Sequence, residues 1–268
     1  MRAVATAPSN QPATSVRRVN VLGVGISVLN LDTARAAIAA ALAQGHKGYI
    51  CVTGVHGVIE AQSDPAFRAV LNRAFLCTPD GMPMVWAGKG AGFKEMGRVY
   101  GPDLLAEVAE WTRGSGRTHF LYGGAPGVAE AMRQRLETSY PGLRVVGTFT
   151  PPFGPLAPAD EARLIAQVAD AQPDLFWVGL STPKQEKFMA AYLPRLETKI
   201  MVGVGAAFDF YAGRVRQAPR WLQRSGLEWL FRLCMEPRRL WRRYARNNPL
   251  FLWLVLCQLT RLKRFRLE

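Results

Sequence analysis

The sequence predicts an α/β fold: a Rossmann-like, mostly parallel sheet flanked by helices, followed by a C-terminal helical appendage. Three observations carry this prediction. Short apolar runs such as GYICVT, HFLYGG and DLFWVGL alternate with stretches of helical pattern, and strands separated by such helices pair in parallel with both sheet faces covered. A chain of 268 residues with 49% hydrophobic content can bury a full-sized core in one or two domains. From residue 214 onward the strand pattern stops, and helix-like segments are broken at Pro219, Pro237 and Pro249.

Residues 1–18 are rich in Ala, Pro, Ser and Thr and lack a continuous apolar stretch, so they read as a disordered tail and not as a signal peptide. Residues 19–28 look like a first strand with a turn, and 32–44 like a helix capped by Asp32 or Thr33. A strand over 48–53 leads into two helical stretches broken at Asp64-Pro65, then a short strand over 75–78 and the turn 79–83. Further strands are expected over 119–124, 143–149, 174–180 and 199–208, with helices in the three intervals between them. The domain reading is a tail (1–18), an α/β catalytic domain (19–213) and a basic amphipathic appendage (214–268).

Charge is uneven. Fourteen Lys and Arg against three Asp and Glu lie from Arg214 onward, so that segment holds +11 of the net +14. A basic tail beside a nearly neutral body calls for a polyanionic partner, a nucleic acid or an anionic bilayer. Trp221, Trp229, Trp241 and Trp253 and the run LFLWLVLCQL are too greasy for a nucleic-acid arm and favour the bilayer. The four cysteines (Cys51, Cys77, Cys234, Cys257) are scattered, which argues against a zinc site or a disulfide framework and for a reducing compartment.

Open parallel sheets bind ligands at the carboxyl ends of their strands, and three regions qualify. The loop with Gly123 and Gly124 allows close backbone approach before a helix N-terminus, suiting phosphate or a plain tight turn. It lacks a G-x-G-x-x-G spacing and an acidic ribose partner, which disfavours a dehydrogenase. The loop with Lys184 and Gln185 offers a cation and an amide to a phosphate or uracil; Thr182 and Glu186 there also suit a helix cap. The third region joins Thr53, His56 and Asp80. A carboxylate on a strand-end turn is placed to be a general base, although Asp-Gly is also a common turn dipeptide. Asp209, at another strand end, is a rival carboxylate. No D-x-D pair is present to hold a metal on a sugar nucleotide's diphosphate, so no metal and no cofactor are expected. A non-enzymatic nucleotide- or nucleic-acid-binding protein is the alternative reading.

Eight blocks occur in order: VTGVHGVIEAQ, TPDGMPMVW, RVYGPDLL, FLYGGAPG, PPFGPL, WVGLSTPKQEKFM, GVGAAFDFYAG and RWLQRSGLEWLFRLCMEPRRLWRRY. Together they closely resemble the WecG/TagA/CpsF family of bacterial glycosyltransferases, the inverting group also called family 26, over about residues 20–248. The resemblance implies transfer of a hexose-type sugar from a UDP-sugar to a sugar carried on a polyprenyl diphosphate, in surface polysaccharide synthesis. It implies Asp80 as base, Thr53 and Arg98 as catalytic positions, and Gln185 as a substrate contact. Arginines of the appendage would complete the site, with Arg232, Arg239 and Arg242 as candidates. Many relatives have Asn two residues after the threonine, where this chain has Val55 and then His56; this resembles the exopolysaccharide-type branch.

The apolar run 249–259 is about half the ~20 residues that a spanning helix needs and lies between arginine clusters. The expectation is a cytoplasmic enzyme bound peripherally to the inner face of the plasma membrane, with no nucleic-acid partner and room for a homo-oligomer.

Overall fold

A computed structural model describes residues 16–267; of the tail expected over 1–18, residues 1–15 lie outside the described residues, and Arg18 already belongs to a strand. Six strands form one parallel sheet in the order β4-β3-β8-β7-β5-β6: β3 (Gly48–Thr53), β4 (Leu76–Pro79), β5 (Thr118–Gly123), β6 (Arg144–Phe149), β7 (Leu175–Gly179) and β8 (Ile200–Gly203). Alternate residues feed opposite cores. Tyr49, Cys51, Phe120, Tyr122, Phe176 and Met201 pack on one face, and Ile50, Val52, Leu121, Trp177 and Val202 on the other. That two-sided burial is why the strands read as unbroken apolar runs.

The first core is covered by α2 (Val55–Ser63), α3 (Pro65–Arg73), α7 (Pro158–Ala171) and α8 (Lys184–Tyr192), the second by α1 (Leu31–Ala43), α5 (Gly101–Thr112), α6 (Val128–Ser139) and α9 (Ala207–Tyr211). α4 (Met82–Gly90) follows the Asp80 turn, and α10 (Arg220–Arg224), α11 (Glu228–Met235) and α12 (Pro237–Leu259) form the C-terminal helices.

Several expectations need correction. Residues 19–28 are not one strand but an antiparallel hairpin, β1 (Arg18–Val21) and β2 (Val24–Ser27), outside the main sheet. The cap of α1 is Asn30, whose Oδ1 accepts from the Thr33 N–H while Thr33 Oγ1 accepts from the Asn30 N–H, a reciprocal capping box. The strand expected to run to residue 208 stops at Gly203, and the next apolar residues turn and enter α9. Pro249 does not break the tail. It lies inside the 23-residue α12, with Asn247 and Phe251 buried on either side of it. Packing on both flanks outweighs the hydrogen bond the ring removes.

α12 is bound to the body at several points. Phe251, Leu254 and Cys257 are buried, Asn247 meets His56, and Gln258 Nε2 donates to the Asn20 carbonyl while its Oε1 accepts from the Leu22 N–H. Its other face leaves Trp241, Leu252, Trp253, Leu256 and Leu259 exposed. Among the described residues no helix is long and apolar enough to cross a membrane.

Candidate active site

The carboxyl ends of β3, β4, β5, β7 and β8 open into one cavity of about 950 Å³, roofed by α4, α11 and α12. Ligand sites of parallel sheets lie at this end of the strands, and the volume suits a substrate of drug size or larger.

Asp80 sits where β4 ends, its N–H donating to the Thr53 carbonyl at 3.0 Å, so the β3–β4 ladder fixes the turn. Gly54, the N-cap of α2, abuts it: a Cβ there would lie 2.8 Å from the Asp80 carbonyl oxygen. Among the described residues the Asp80 carboxylate has no side-chain hydrogen bond. Burial raises its pKa to about 6; the charges of Arg98 and Arg232 pull it down, and those of Glu228 and Asp103 push it up. A carboxylate with such an affinity is ionised near neutrality yet readily takes a proton, as a general base must.

The C-terminal helices supply cations. Arg232 of α11 and Arg239 and Arg243 of α12 line the cavity. The Nε atoms of Arg232 and Arg243 are buried and unpartnered. Burial, then the nearby Arg232 and Arg239, lower the Arg243 pKa despite help from Tyr244. A buried guanidinium N–H without an acceptor is costly, so these two atoms are poised for an anion. Arg98 instead turns to the helices: it pairs with Glu228 Oε2, donates to Gln223 Oε1 at 2.6 Å, and lies over the Tyr100 ring. The Tyr100 hydroxyl, also in the cavity wall, is buried without a partner.

On the opposite wall Gln185 is 3% exposed. Its Nε2 donates to Glu186 Oε1 at 3.0 Å, which Thr182 Oγ1 also reaches at 2.8 Å. That network leaves Gln185 Oε1 buried and free, an acceptor for a ligand N–H. His56 lines the floor and meets Asn247 Nδ2 through its Nδ1 at 2.9 Å. Since an amide NH₂ can only donate, His56 accepts as the neutral imidazole; burial and Arg243 hold its pKa low, with Glu60 and the Thr182 backbone opposing.

Of the positions expected from sequence, Asp80, His56, Gly124, Gln185, Asp209, Arg232 and Arg239 line the cavity. Thr53 is buried just behind it, with Cys77 Sγ 3.3 Å from its hydroxyl. Gly123, with φ 129°, packs against Gly179 so tightly that a Cβ would lie 2.6 Å from its carbonyl oxygen; it shapes the β5–β7 strand ends without facing the cavity. Lys184 is exposed, its Nζ 5.5 Å from the Phe153 ring centre, and Arg242 is exposed over Trp241. Neither lines the cavity. Arg243 takes the inward position expected of Arg242, because one residue along a helix is about 100° of rotation. Glu228, Tyr100 and Arg243 were missed; the basic character of the tail hinted at Arg243, and no local pattern pointed to Tyr100 or Glu228.

Among the described residues no group of three His, Cys, Asp or Glu side chains is placed to hold a metal ion. A strand-end cavity that holds a carboxylate and two guanidinium Nε atoms without acceptors can deprotonate a hydroxyl and stabilise a departing anion. Glycosyl transfer from a phosphate ester requires both. The profile of the WecG/TagA/CpsF glycosyltransferase family matches residues 19–265, and the chain belongs to that family. It is similar to the N-acetylglucosaminyldiphosphoundecaprenol N-acetyl-beta-D-mannosaminyltransferase of Bacillus spizizenii strain W23, with 31% identity over 79% of this chain and 80% of the relative. The Bacillus subtilis strain 168 protein of the same name is 29% identical over 68% and 69% of the two chains.

Proposed function

We propose that this glycosyltransferase moves a hexose-type sugar from UDP to a hydroxyl of a sugar carried on a polyprenyl diphosphate, with inversion, in surface or exopolysaccharide synthesis. The observation that carries the reading is the pairing of Asp80, with its pKa of about 6, and the unpartnered Nε atoms of Arg232 and Arg243 in one cavity. Asp80 takes the acceptor proton as its oxygen attacks the anomeric carbon from the face opposite the diphosphate. The bond from that carbon to UDP breaks, and arginines and the N-terminus of α2 stabilise the charge left on the leaving group. Gln185 Oε1 suits the N–H of uracil. No divalent metal takes part in this scheme.

The enzyme docks on the cytoplasmic face of the membrane without spanning it, through the exposed apolar and basic face of α12. Transfer from a panel of UDP-sugars to a sugar-diphosphate-lipid acceptor, followed by release of UDP and the anomeric configuration of the product, tests the reading. Absence of transfer with every donor, or a retained configuration, contradicts it.

A further inference from the structure

The cavity that holds Asp80 continues past the arginines as a trough along α12. Tyr244, Asn248, Phe251, Val255 and Leu259 line it, at steps of three or four residues that form a single stripe on the helix. From Asn248 to Leu259 the stripe extends about 16 Å at the α-helical rise. The facing wall is Ala87, Gly90 and Ala91 at the end of α4, with β1 beneath. Small residues there keep the trough open: a Cβ on Gly90 would meet no atom within 4 Å. The open end, at Leu252 and Leu259, adjoins the exposed Trp253 and Leu256.

The wall therefore changes character in a fixed order: carboxylate, guanidinium groups, apolar trough, exposed apolar surface. An acceptor made of sugar, diphosphate and hydrocarbon chain has the same order. We infer that the trough seats the first isoprene units of the acceptor's lipid, so that the enzyme grips the chain itself and not only the head group presented by a membrane. This rests on the transferase reading and adds a lipid subsite to it. Its continuity with the catalytic cavity is what selects a substrate's own tail as the occupant.

The test uses full-length protein in buffer free of vesicles and detergent, with one sugar diphosphate esterified either to methyl or to farnesyl. The subsite predicts a kcat/KM for the farnesyl ester greater by on the order of 10²-fold, given the hydrocarbon buried. Gly90→Phe, which fills the trough, and Val255→Asp, which makes it polar, bring that ratio toward one. A ratio within one protein sample does not depend on how much of it is folded. Equal kcat/KM for both esters in the wild type, or a ratio untouched by both variants, overturns the lipid subsite while leaving the transferase intact. Variants that change the sedimentation mass but not the ratio assign the trough to a second copy of the chain and overturn it as well. Turnover of neither ester overturns the transferase reading and the subsite together.

Discussion

Residue 54 lies against Asp80 so closely that a Cβ on it would sit 2.8 Å from the Asp80 carbonyl oxygen and 3.6 Å from Oδ2. The β3–β4 ladder holds both strand ends, pairing Thr53 with Pro79, so neither loop can yield alone. Gly54→Ala must therefore displace the Asp80 turn. A shift of about 1 Å at a reacting group can cost on the order of 10²-fold in rate. We expect kcat to fall by that order while UDP affinity, measured by calorimetry, stays within a few-fold. Unchanged kcat would detach Asp80's position from the chemistry.

The pH profile should report Asp80. Ionised base is lost as pH falls through about 6, so kcat/KM should drop tenfold per unit below that value. Glu228 raises this pKa and Arg98 lowers it. Glu228→Gln should move the acidic limb to lower pH, and Arg98→Ala to higher pH. Limbs that fail to move, or that move in the same direction, would assign the titration to another group.

The legible parts of the site were those encoded locally. An apolar run ending in Pro79-Asp80-Gly81 shows a strand and its turn, and the β5 and β7 loops show the same pattern. α4 and α5 were unread because Pro83 and Pro102, which open these helices, also suit turns, and Gly88 and Gly90 dilute the helical signal of α4. Residues 204–208 read as strand because they are small and apolar, yet they turn into α9. The electrostatic partners of Asp80 were beyond local pattern. Arg98 reaches Glu228 across 130 residues, a meeting made by tertiary structure and not by any local pattern.

Transfer should persist in excess EDTA. Arg232, Arg239 and Arg243 supply the positive charge at the cavity wall, and the described residues offer no cluster for a metal ion. Loss of activity in EDTA with recovery on adding Mg²⁺ or Mn²⁺ would contradict the arginine account of leaving-group stabilisation.

Membrane docking can be separated from folding by substitution on the outer face of α12. Trp253 and Leu256 are exposed, while Phe251 and Leu254 are buried, so truncating the helix would damage the core but Trp253→Glu with Leu256→Glu would not. The double variant should lose flotation with liposomes while keeping its melting temperature. Each Lys or Arg near an anionic surface contributes roughly 1 kcal/mol, so wild-type flotation should weaken with salt and with neutral lipid. Flotation indifferent to the substitutions, salt and lipid charge would contradict docking through this face.

Asp80→Asn tests the central claim most directly. The folded pKa of Asp80 lies above its ordinary value, so its ionised form opposes folding fully above about pH 6, and the penalty fades as pH falls toward 4. The variant should thus be more stable at pH 7.5, by on the order of 2 kcal/mol, with the gain shrinking in acid. The decisive measurement is single-turnover transfer by this variant with saturating donor and acceptor. The account predicts a rate lower by about 10²–10⁴-fold with UDP binding intact; transfer within a few-fold of wild type would contradict Asp80 as the base and shift the role to Asp209.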